Sequence, residues 1–81
     1  MPRFHFNLRA HETYLLDEEG EDCPTLQAAG NRALAGATEL LHELRPSRQL
    51  INEAAFEITD ESGELKLRIP FTLAASQSVA S

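Results

Sequence analysis

The first strand-length stretch of the chain alternates apolar and polar residues. Over Arg3–Arg9, every second side chain is large and apolar, and the residues between are polar or basic. Because successive side chains of a β-strand point to opposite faces of its sheet, this period predicts a half-buried strand. The apolar face would carry Phe4, Phe6 and Leu8, and the other face Arg3, His5, Asn7 and Arg9.

Thr13–Asp17 is predicted to pair back with this first strand. The connecting segment Ala10–Glu12 contains no Gly or Asn that readily adopts a positive φ. A two-residue hairpin turn is therefore disfavoured, and a longer loop is expected. The register stays open at this stage, because a shift of one residue decides whether Tyr14 and Leu16 or Leu15 faces inward.

A long amphipathic helix is predicted over Leu26–Leu44, after an acidic turn and before a proline that ends it. Either Asp22 or Thr25 could cap its N-terminus. Gly30 and Gly36 make the middle of the helix thin, which would let its backbone lie close to a sheet. The apolar stripe consists of Leu26, Ala29, Ala33, Ala37, Leu40, Leu41 and Leu44.

Two more alternating stretches, Ala55–Asp60 and Leu65–Phe71, predict a second hairpin joined by the turn Asp-Glu-Ser-Gly. Pro70 indicates that the last strand ends at, or lies beside, an unpaired edge. Beyond this strand the residues are small and polar, so we expect a flexible C-terminal tail over residues 74–81. The order of elements predicts a single α+β domain over residues 1–73 with a ββαββ arrangement.

The sheet is expected to have four mainly antiparallel strands, with the long helix packed on one face. If the helix carries the chain back along the sheet, either the first and third strands or the second and fourth are adjacent. The face beneath the helix would hold Phe4, Phe6, Leu8, Phe56, Ile58, Leu65, Leu67, Ile69 and Phe71. The other face would be left uncovered by this chain.

Separated segments of the chain resemble a known family. The opening Met-Pro-Arg-Phe-His-Phe, the Asp-Glu-Glu-Gly before the Ala-rich helix and the Asp-Glu-Ser-Gly hairpin look like a family of short bacterial proteins classed as a domain of unknown function. The resemblance covers Met1 to about Leu73. The first turn departs from it, because relatives often place Asp-Gly where this chain has Ala10 and His11. The resemblance implies a small αβ domain with no assigned activity, and it transfers no catalytic or binding residue.

The acidic balance of the chain weighs against general binding to phosphate backbones or anionic lipid surfaces. Seven basic residues stand against thirteen acidic ones, for a formal charge of -6. No stretch approaches the roughly 18 consecutive apolar residues of a membrane span. A single cysteine excludes an intramolecular disulfide and fits a reducing compartment. We therefore expect a cytoplasmic protein.

The candidate reactive residues do not form a recognisable site. His5, His11 and His42 lie on a predicted strand, a turn and the exposed side of the helix, which is unlike the tight local spacing of zinc ligands. Cys23 lies near a helix N-terminus, but the neighbouring carboxylates disfavour its thiolate and no base is placed beside it. The acidic run Asp17–Asp22 lacks the ligand spacing of a helix-loop-helix calcium site. We expect no metal, no cofactor and no enzymatic activity.

The scarce positive charge gathers on the uncovered face of the predicted sheet. The residues that could share that face are Arg3, His5, Arg9, Lys66 and Arg68. One interpretation is a solvated face whose charges are balanced by Glu57 and by Glu12 or Asp17. A second is nucleic-acid binding, although the Phe residues that would stack on bases alternate to the other face.

The third interpretation is protein interaction, above all self-association. A two-layer domain of this size gains from a second copy that covers apolar surface or extends the sheet at an edge. Leu15 or Leu16, Ala55 and Pro70 could supply a symmetric contact. We therefore expect a non-enzymatic interaction module that forms a dimer, with a nucleic-acid-binding or accessory transcriptional regulator as the alternative.

Overall fold

The chain forms a sheet covered on one face by helices. The computed structural model describes residues 1–79, with side chains as far as residue 76. In chain order its elements are β1 (Arg3–Ala10), β2 (Thr13–Leu15), β3 (Glu21–Asp22), α1 (Leu26–Leu44), α2 (Arg48–Glu53), β4 (Ala54–Thr59), β5 (Leu65–Pro70) and α3 (Phe71–Val79). The predicted α+β class and ββαββ order are confirmed, and β3, α2 and α3 are added to them.

The strands lie in the order β2-β1-β4-β5, and each neighbouring pair is antiparallel. Of the two predicted arrangements, the structure has the one in which the first and third predicted strands, β1 and β4, are adjacent. Phe6 lies opposite Ile58 in this pair. The two-residue strand β3 extends the antiparallel pairing along β1, opposite Arg3 and Phe4. β2 and β5 are therefore edge strands, and β3 lies on the same margin of the sheet as β2.

Helix α1 lies close to the sheet, with the core between them. Phe6 and Leu67 pack against the same core cluster, so both point to the helix face, as predicted. A Cβ on Gly30 would stand 2.9 Å from Cδ2 of Leu67, which confirms the predicted close approach at that position. The buried core residues are Phe4, Cys23, Ala29, Ala33, Ala37, Ala54, Ile58, Ile69, Phe71 and Ala74.

Both ends of α1 have local hydrogen bonds that fix its length. The hydroxyl of Thr25 accepts from the N–H of Ala28 at 3.0 Å, which decides between the two predicted N-caps. At the other end Arg45 adopts the left-handed conformation, with φ 47° and ψ 55°. Its N–H donates to the carbonyl of Leu41 at 3.2 Å. The proline that follows cannot continue the helix.

The hairpin between β1 and β2 has a two-residue turn, so the expected longer loop is wrong. Ala10 lies opposite Thr13, which leaves His11 and Glu12 as the turn residues. His11 adopts a φ of 54°. This left-handed conformation is uncommon for residues other than glycine, but histidine is among the types that adopt it more often. A turn without Gly or Asn can therefore still consist of two residues.

The register of this hairpin shows which side chains of β2 face the helix. Leu15 lies opposite Leu8, and Tyr14 lies opposite Arg9. Because Leu8 packs against the core, Leu15 is on the helix side of the sheet. It nevertheless stays 56 % exposed, since it lies at the margin of the sheet.

A β-bulge in the second hairpin corrects the predicted inward position of Leu65. Ile58 lies opposite Leu67, whereas the next residue, Thr59, lies opposite Leu65, so Lys66 is an extra residue in β5. Thr59 follows the fully buried Ile58 and faces away from the helix. Leu65 shares that side and is 54 % exposed. A bulge shifts the alternation by one residue, which a strict two-residue period does not reveal.

A third helix occupies part of the stretch expected to be a tail. α3 begins at Phe71, directly after β5, and packs against α1 and α2. Phe71 and Ala74 are 5 % and 0 % exposed, so this helix belongs to the core. Residues 74–79 are thus helical, and residues 80–81 of the predicted tail lie outside the described residues. Over the part of the chain that is described, none of the helices combines the length and apolar character that a membrane crossing requires.

Candidate interaction surface

The sheet face opposite α1, called the outer face below, carries the predicted basic residues. The residues that the strand register places on it include His5, Asn7, Arg9, Tyr14, Ala55, Glu57, Thr59 and Arg68. Nε of Arg9 donates to Oε2 of Glu57 at 2.9 Å, and its guanidinium carbon lies 4.3 Å from the centre of the Tyr14 ring. The side chain of Glu57 is only 15 % exposed. The charge of Arg9 is therefore balanced within the chain, as the solvated-face interpretation expects.

Arg3 and Lys66 also have acidic or carbonyl partners. Arg3 donates to the backbone carbonyl of Glu19 at 2.6 Å and lies 3.4 Å from the carboxylate of Asp22. Lys66 donates to the carboxylate of Glu64 at 3.0 Å. This hydrogen bond raises the pKa of Lys66 above its ordinary value. The charges of both cations are therefore balanced within the chain.

Arg68 differs from the other basic residues. It lies opposite Glu57 in the register, but Glu57 is bonded to Arg9. Within the described residues Arg68 makes no ion pair and no side-chain hydrogen bond, and its side chain is exposed. The structure thus brings Arg9 and Arg68 to either side of one carboxylate instead of assembling a basic patch.

The outer face is partly covered, because residues 16–20 cross over it. Asn7 is only 3 % exposed; its Oδ1 accepts from the N–H of Asp17 at 2.9 Å, and its Nδ2 donates to the hydroxyl of Thr59 at 3.2 Å. Nδ1 of His5 donates to the carbonyl of Asp17 at 2.6 Å. The prediction of an uncovered face is corrected here. His5 holds the crossing segment in place through this hydrogen bond, and its role in binding a partner stays a prediction.

The carboxylate of Asp17 takes the place of a strand neighbour along β1. Its Oδ2 accepts from the N–H of Phe6 at 3.1 Å, and its Oδ1 accepts from the N–H of Gly20 at 3.2 Å. Neither β2 nor β3 has a residue opposite Phe6, so the carboxylate satisfies a backbone donor that would otherwise lack a partner on that side. Gly20 itself has a φ of 72°.

The turn between β4 and β5 is built in a similar way. Oδ1 of Asp60 accepts from the Ser62 hydroxyl at 2.6 Å and from the N–H groups of Ser62 and Glu64 at 2.9 and 3.0 Å. The bond from the Ser62 hydroxyl and that from the Glu64 N–H lower the pKa of Asp60. Gly63 has a φ of 88°. Both Asp-Glu-x-Gly turns therefore combine a carboxylate that accepts backbone N–H groups with a left-handed glycine.

The other candidate reactive residues stay apart. His11 lies 2.9 Å from the carboxylate of Glu53, and His42 is exposed on α1. Cys23 is 6 % exposed and packs in the core. In the described part of the chain, no group of three His, Cys, Asp or Glu side chains is arranged to hold a metal ion.

The two edge strands differ in their protection against pairing with another chain. β5 carries a bulge, two basic residues and Pro70, all features that discourage edge-to-edge association. β2 and the residue after it, Thr13–Leu16, are exposed and uncharged. The edge formed by β2 is therefore the one left open to a further strand.

An exposed apolar patch adjoins this edge on the helix side. Leu8, which lies opposite Leu15, lines a small apolar cleft of about 80 Å³ together with Leu44 and Leu50. Leu15, Leu44 and Leu50 are 56 %, 68 % and 40 % exposed, and we call these three residues the edge patch. Sequence reasoning named Leu15 but missed the other two, although Leu44 was visible as the last member of the apolar helix stripe. Ala55, also named, is fully buried and cannot contribute.

Comparison with known proteins identifies a family but no function. A family model described as a domain of unknown function (DUF6894) matches residues 3–72. No curated protein and no solved structure matches the chain.

Proposed function

The chain belongs to the DUF6894 family, a domain of unknown function, and we propose that it acts as a small non-enzymatic interaction module that self-associates as a dimer. The observation that carries this proposal is the open edge of β2, where Thr13–Leu16 are all exposed and uncharged. An exposed strand edge presents unpaired N–H and C=O groups that favour pairing with another strand. The opposite edge has three protective features, so the difference between the edges favours β2.

Antiparallel pairing of β2 with β2 of a second copy would give hydrogen-bond partners to the free backbone N–H and C=O groups of both edges. A two-fold axis makes such a contact self-complementary and closed, which gives a dimer and not a filament. Leu15 lies on the helix side of this edge, opposite Leu8, and Leu8 lines the apolar cleft with Leu44 and Leu50. Pairing would therefore remove part of the edge patch from water, adding to the backbone hydrogen bonds. The three-residue length of β2 limits those bonds, so the apolar contact has to supply much of the affinity.

The test is Leu15→Lys, with Leu65→Lys as its matched control. Both leucines are about half exposed on edge strands, but they lie on opposite edges of the sheet. Sedimentation equilibrium of the unmodified chain should give twice the monomer mass at high concentration. Leu15→Lys should be monomeric at the same concentration, because it places a charge at the contact, and Leu65→Lys should remain a dimer. A monomeric unmodified chain would overturn the proposal, and dissociation by Leu65→Lys alone would move the contact to β5.

A nucleic-acid-binding regulator is the second candidate, and Arg68, which is exposed and has no ion-pair partner among the described residues, is the observation that favours it. Fluorescence anisotropy with a labelled oligonucleotide at low salt tests this candidate directly. Binding that is lost in the double variant Arg3→Glu and Arg68→Glu, and that weakens steeply with salt, would support it. The ion pairs of Arg9 and Lys66 weigh against it.

A further inference from the structure

We propose that a cleft between α1 and the sheet binds a small organic cation with a flat apolar body. The cleft has a volume of about 320 Å³ and is called the helix cleft here. Its apolar floor is formed by the half-buried rings of Phe6 and Phe56. A concave site of this size, with an aromatic floor and a few polar groups at the rim, is typical of small-molecule binding.

Two gaps in the fold produce the helix cleft. Residues 5–7 of β1 lie opposite neither β2 nor β3, so no strand residue is paired beside Phe6 on that side. On the helix, Gly36 has no side chain, and a Cβ there would stand 3.9 Å from Cε2 of Phe56 without a clash. The aromatic rings are therefore left open to a ligand, whereas at Gly30 the same helix is in tight contact with the sheet.

The charges at the rim favour a cation. Nε and Nη2 of Arg32 lie 3.2 and 3.1 Å from Oε1 of Glu21, so Glu21 balances the charge of the guanidinium. Glu39 lines the same rim and, in the described part of the chain, makes neither an ion pair nor a side-chain hydrogen bond. The carboxylate of Asp17 adds further negative charge. An ammonium group beside Glu39 would gain an ion pair, and the apolar body of the ligand would contact the aromatic rings that line the same cleft.

Tryptamine is a suitable probe, because it joins an ammonium group to a flat aromatic body, and indole-3-acetate is a similar molecule of opposite charge. Amide chemical shifts in ¹⁵N-labelled protein report where each probe binds. Tryptamine should shift the amides of Ala33, Gly36 and Phe56, which line the cleft. A dissociation constant on the order of 1 mM is expected for a ligand of about a dozen heavy atoms. Indole-3-acetate should bind at least severalfold more weakly.

Two variants separate the cleft volume from its charge. Gly36→Leu fills the cleft with a side chain that suits a helix, and it should weaken tryptamine binding more than tenfold. Gln27→Leu places the same side chain on an exposed position of α1 outside the cleft and should leave binding unchanged. Glu39→Gln should weaken binding about threefold, as expected for one exposed ion pair. Glu43→Gln removes the same charge one turn further along α1 and should have a smaller effect.

The outcomes decide the proposal. Shifts confined to the cleft, and their loss in Gly36→Leu, support it. It is overturned if no shifts appear at about ten times the expected dissociation constant, if the shifts lie mainly elsewhere, or if Gly36→Leu binds tryptamine as the unmodified chain does. Equal binding of indole-3-acetate would contradict the assignment of a cation. The helix cleft is separate from the edge patch, so Leu15→Lys should bind tryptamine normally whatever its oligomeric state.

Discussion

Gly20 and Gly63 occupy the same place in two Asp-Glu-x-Gly turns, but their surroundings differ. Both have a positive φ, of 72° and 88°. A Cβ on Gly20 would stand 2.8 Å from the backbone oxygen of Phe4, whereas nothing lies within 4 Å of one on Gly63. Gly63→Ala therefore costs only the left-handed conformation, about 1 kcal/mol of unfolding free energy, while Gly20→Ala should cost about 2 kcal/mol or more. Urea unfolding of both variants measures the difference, and equal losses would show that the segment moves away from β1 freely.

Asp60 gives the stability of the chain a dependence on acid pH. Its pKa is lowered in the folded state, chiefly by the Ser62 hydroxyl and the Glu64 N–H. The folded state therefore binds fewer protons than the unfolded state as pH falls below the ordinary aspartate value of about 3.9. The stability from this carboxylate is present above that pH and is lost as pH falls through the lowered pKa.

The variant Asp60→Asn tests this dependence. Its unfolding free energy, measured with urea between about pH 2.5 and 5, should fall less steeply with acid than that of the unmodified chain. Glu61→Gln removes a carboxylate from the same turn, but one without a hydrogen bond to it among the described residues, and serves as the control. An unchanged slope in Asp60→Asn would show that other carboxylates carry the acid sensitivity.

At the scale of single residues, the sequence could predict alternation but not where it is interrupted. Leu67 and Ile69 pack in the core as expected, but one extra residue at Lys66 turns Leu65 outward. No local signal marks that bulge, because Lys66 continues the alternating pattern. His11 likewise adopts a left-handed conformation that its residue type permits without requiring.

At the scale of elements, the long periodic segments were predicted and the short ones were not. Helix α1 has nineteen residues with a sustained apolar stripe, and its predicted bounds of Leu26 and Leu44 are confirmed. The two residues of β3 carry no readable period, and α2 has six residues, none of them buried. α3 was missed because small residues resemble a tail in composition, although in the fold they allow a helix to pack closely against α1.

The contribution of α3 to the core can be tested with Ala74→Asp. Ala74 is fully buried, so an aspartate there places an unpaired charge in the core and should cost about 3 kcal/mol or more of unfolding free energy. Thr72→Asp puts the same side chain on an exposed position of the first turn, where the helix dipole favours it, and should change stability by less than about 0.5 kcal/mol. Thermal or urea unfolding distinguishes them. Equal stabilities would contradict the packing of α3 against α1.

At the scale of the whole molecule, the sequence located the basic residues of the outer face and named Glu57 as a balancing carboxylate, but it did not show which cation Glu57 pairs with. Alternation alone put Arg9 and Glu57 on one face, whereas the reach of Arg9 across to Glu57 depends on the order of the strands. The edge patch depends on the same topology, because Leu44 and Leu50 line a cleft with Leu8, and the pairing of β2 with β1 places Leu15 opposite Leu8. The sequence left two alternatives for which distant strands pair. The location of any interface depends on which of the two arrangements forms.

The net charge of the molecule predicts how salt affects its assembly. Each copy carries a formal charge of -6, so two copies repel one another, while the contact proposed at β2 is uncharged. Raising the salt concentration from about 20 to 300 mM shortens the range of that repulsion and should tighten the dimer severalfold. Nucleic-acid binding would respond in the opposite direction, because added salt weakens contacts to phosphate. Sedimentation equilibrium at the two salt concentrations measures the effect, and a dimer that weakens with salt would mean that ion pairs between the copies, and not the apolar edge of β2, hold them together.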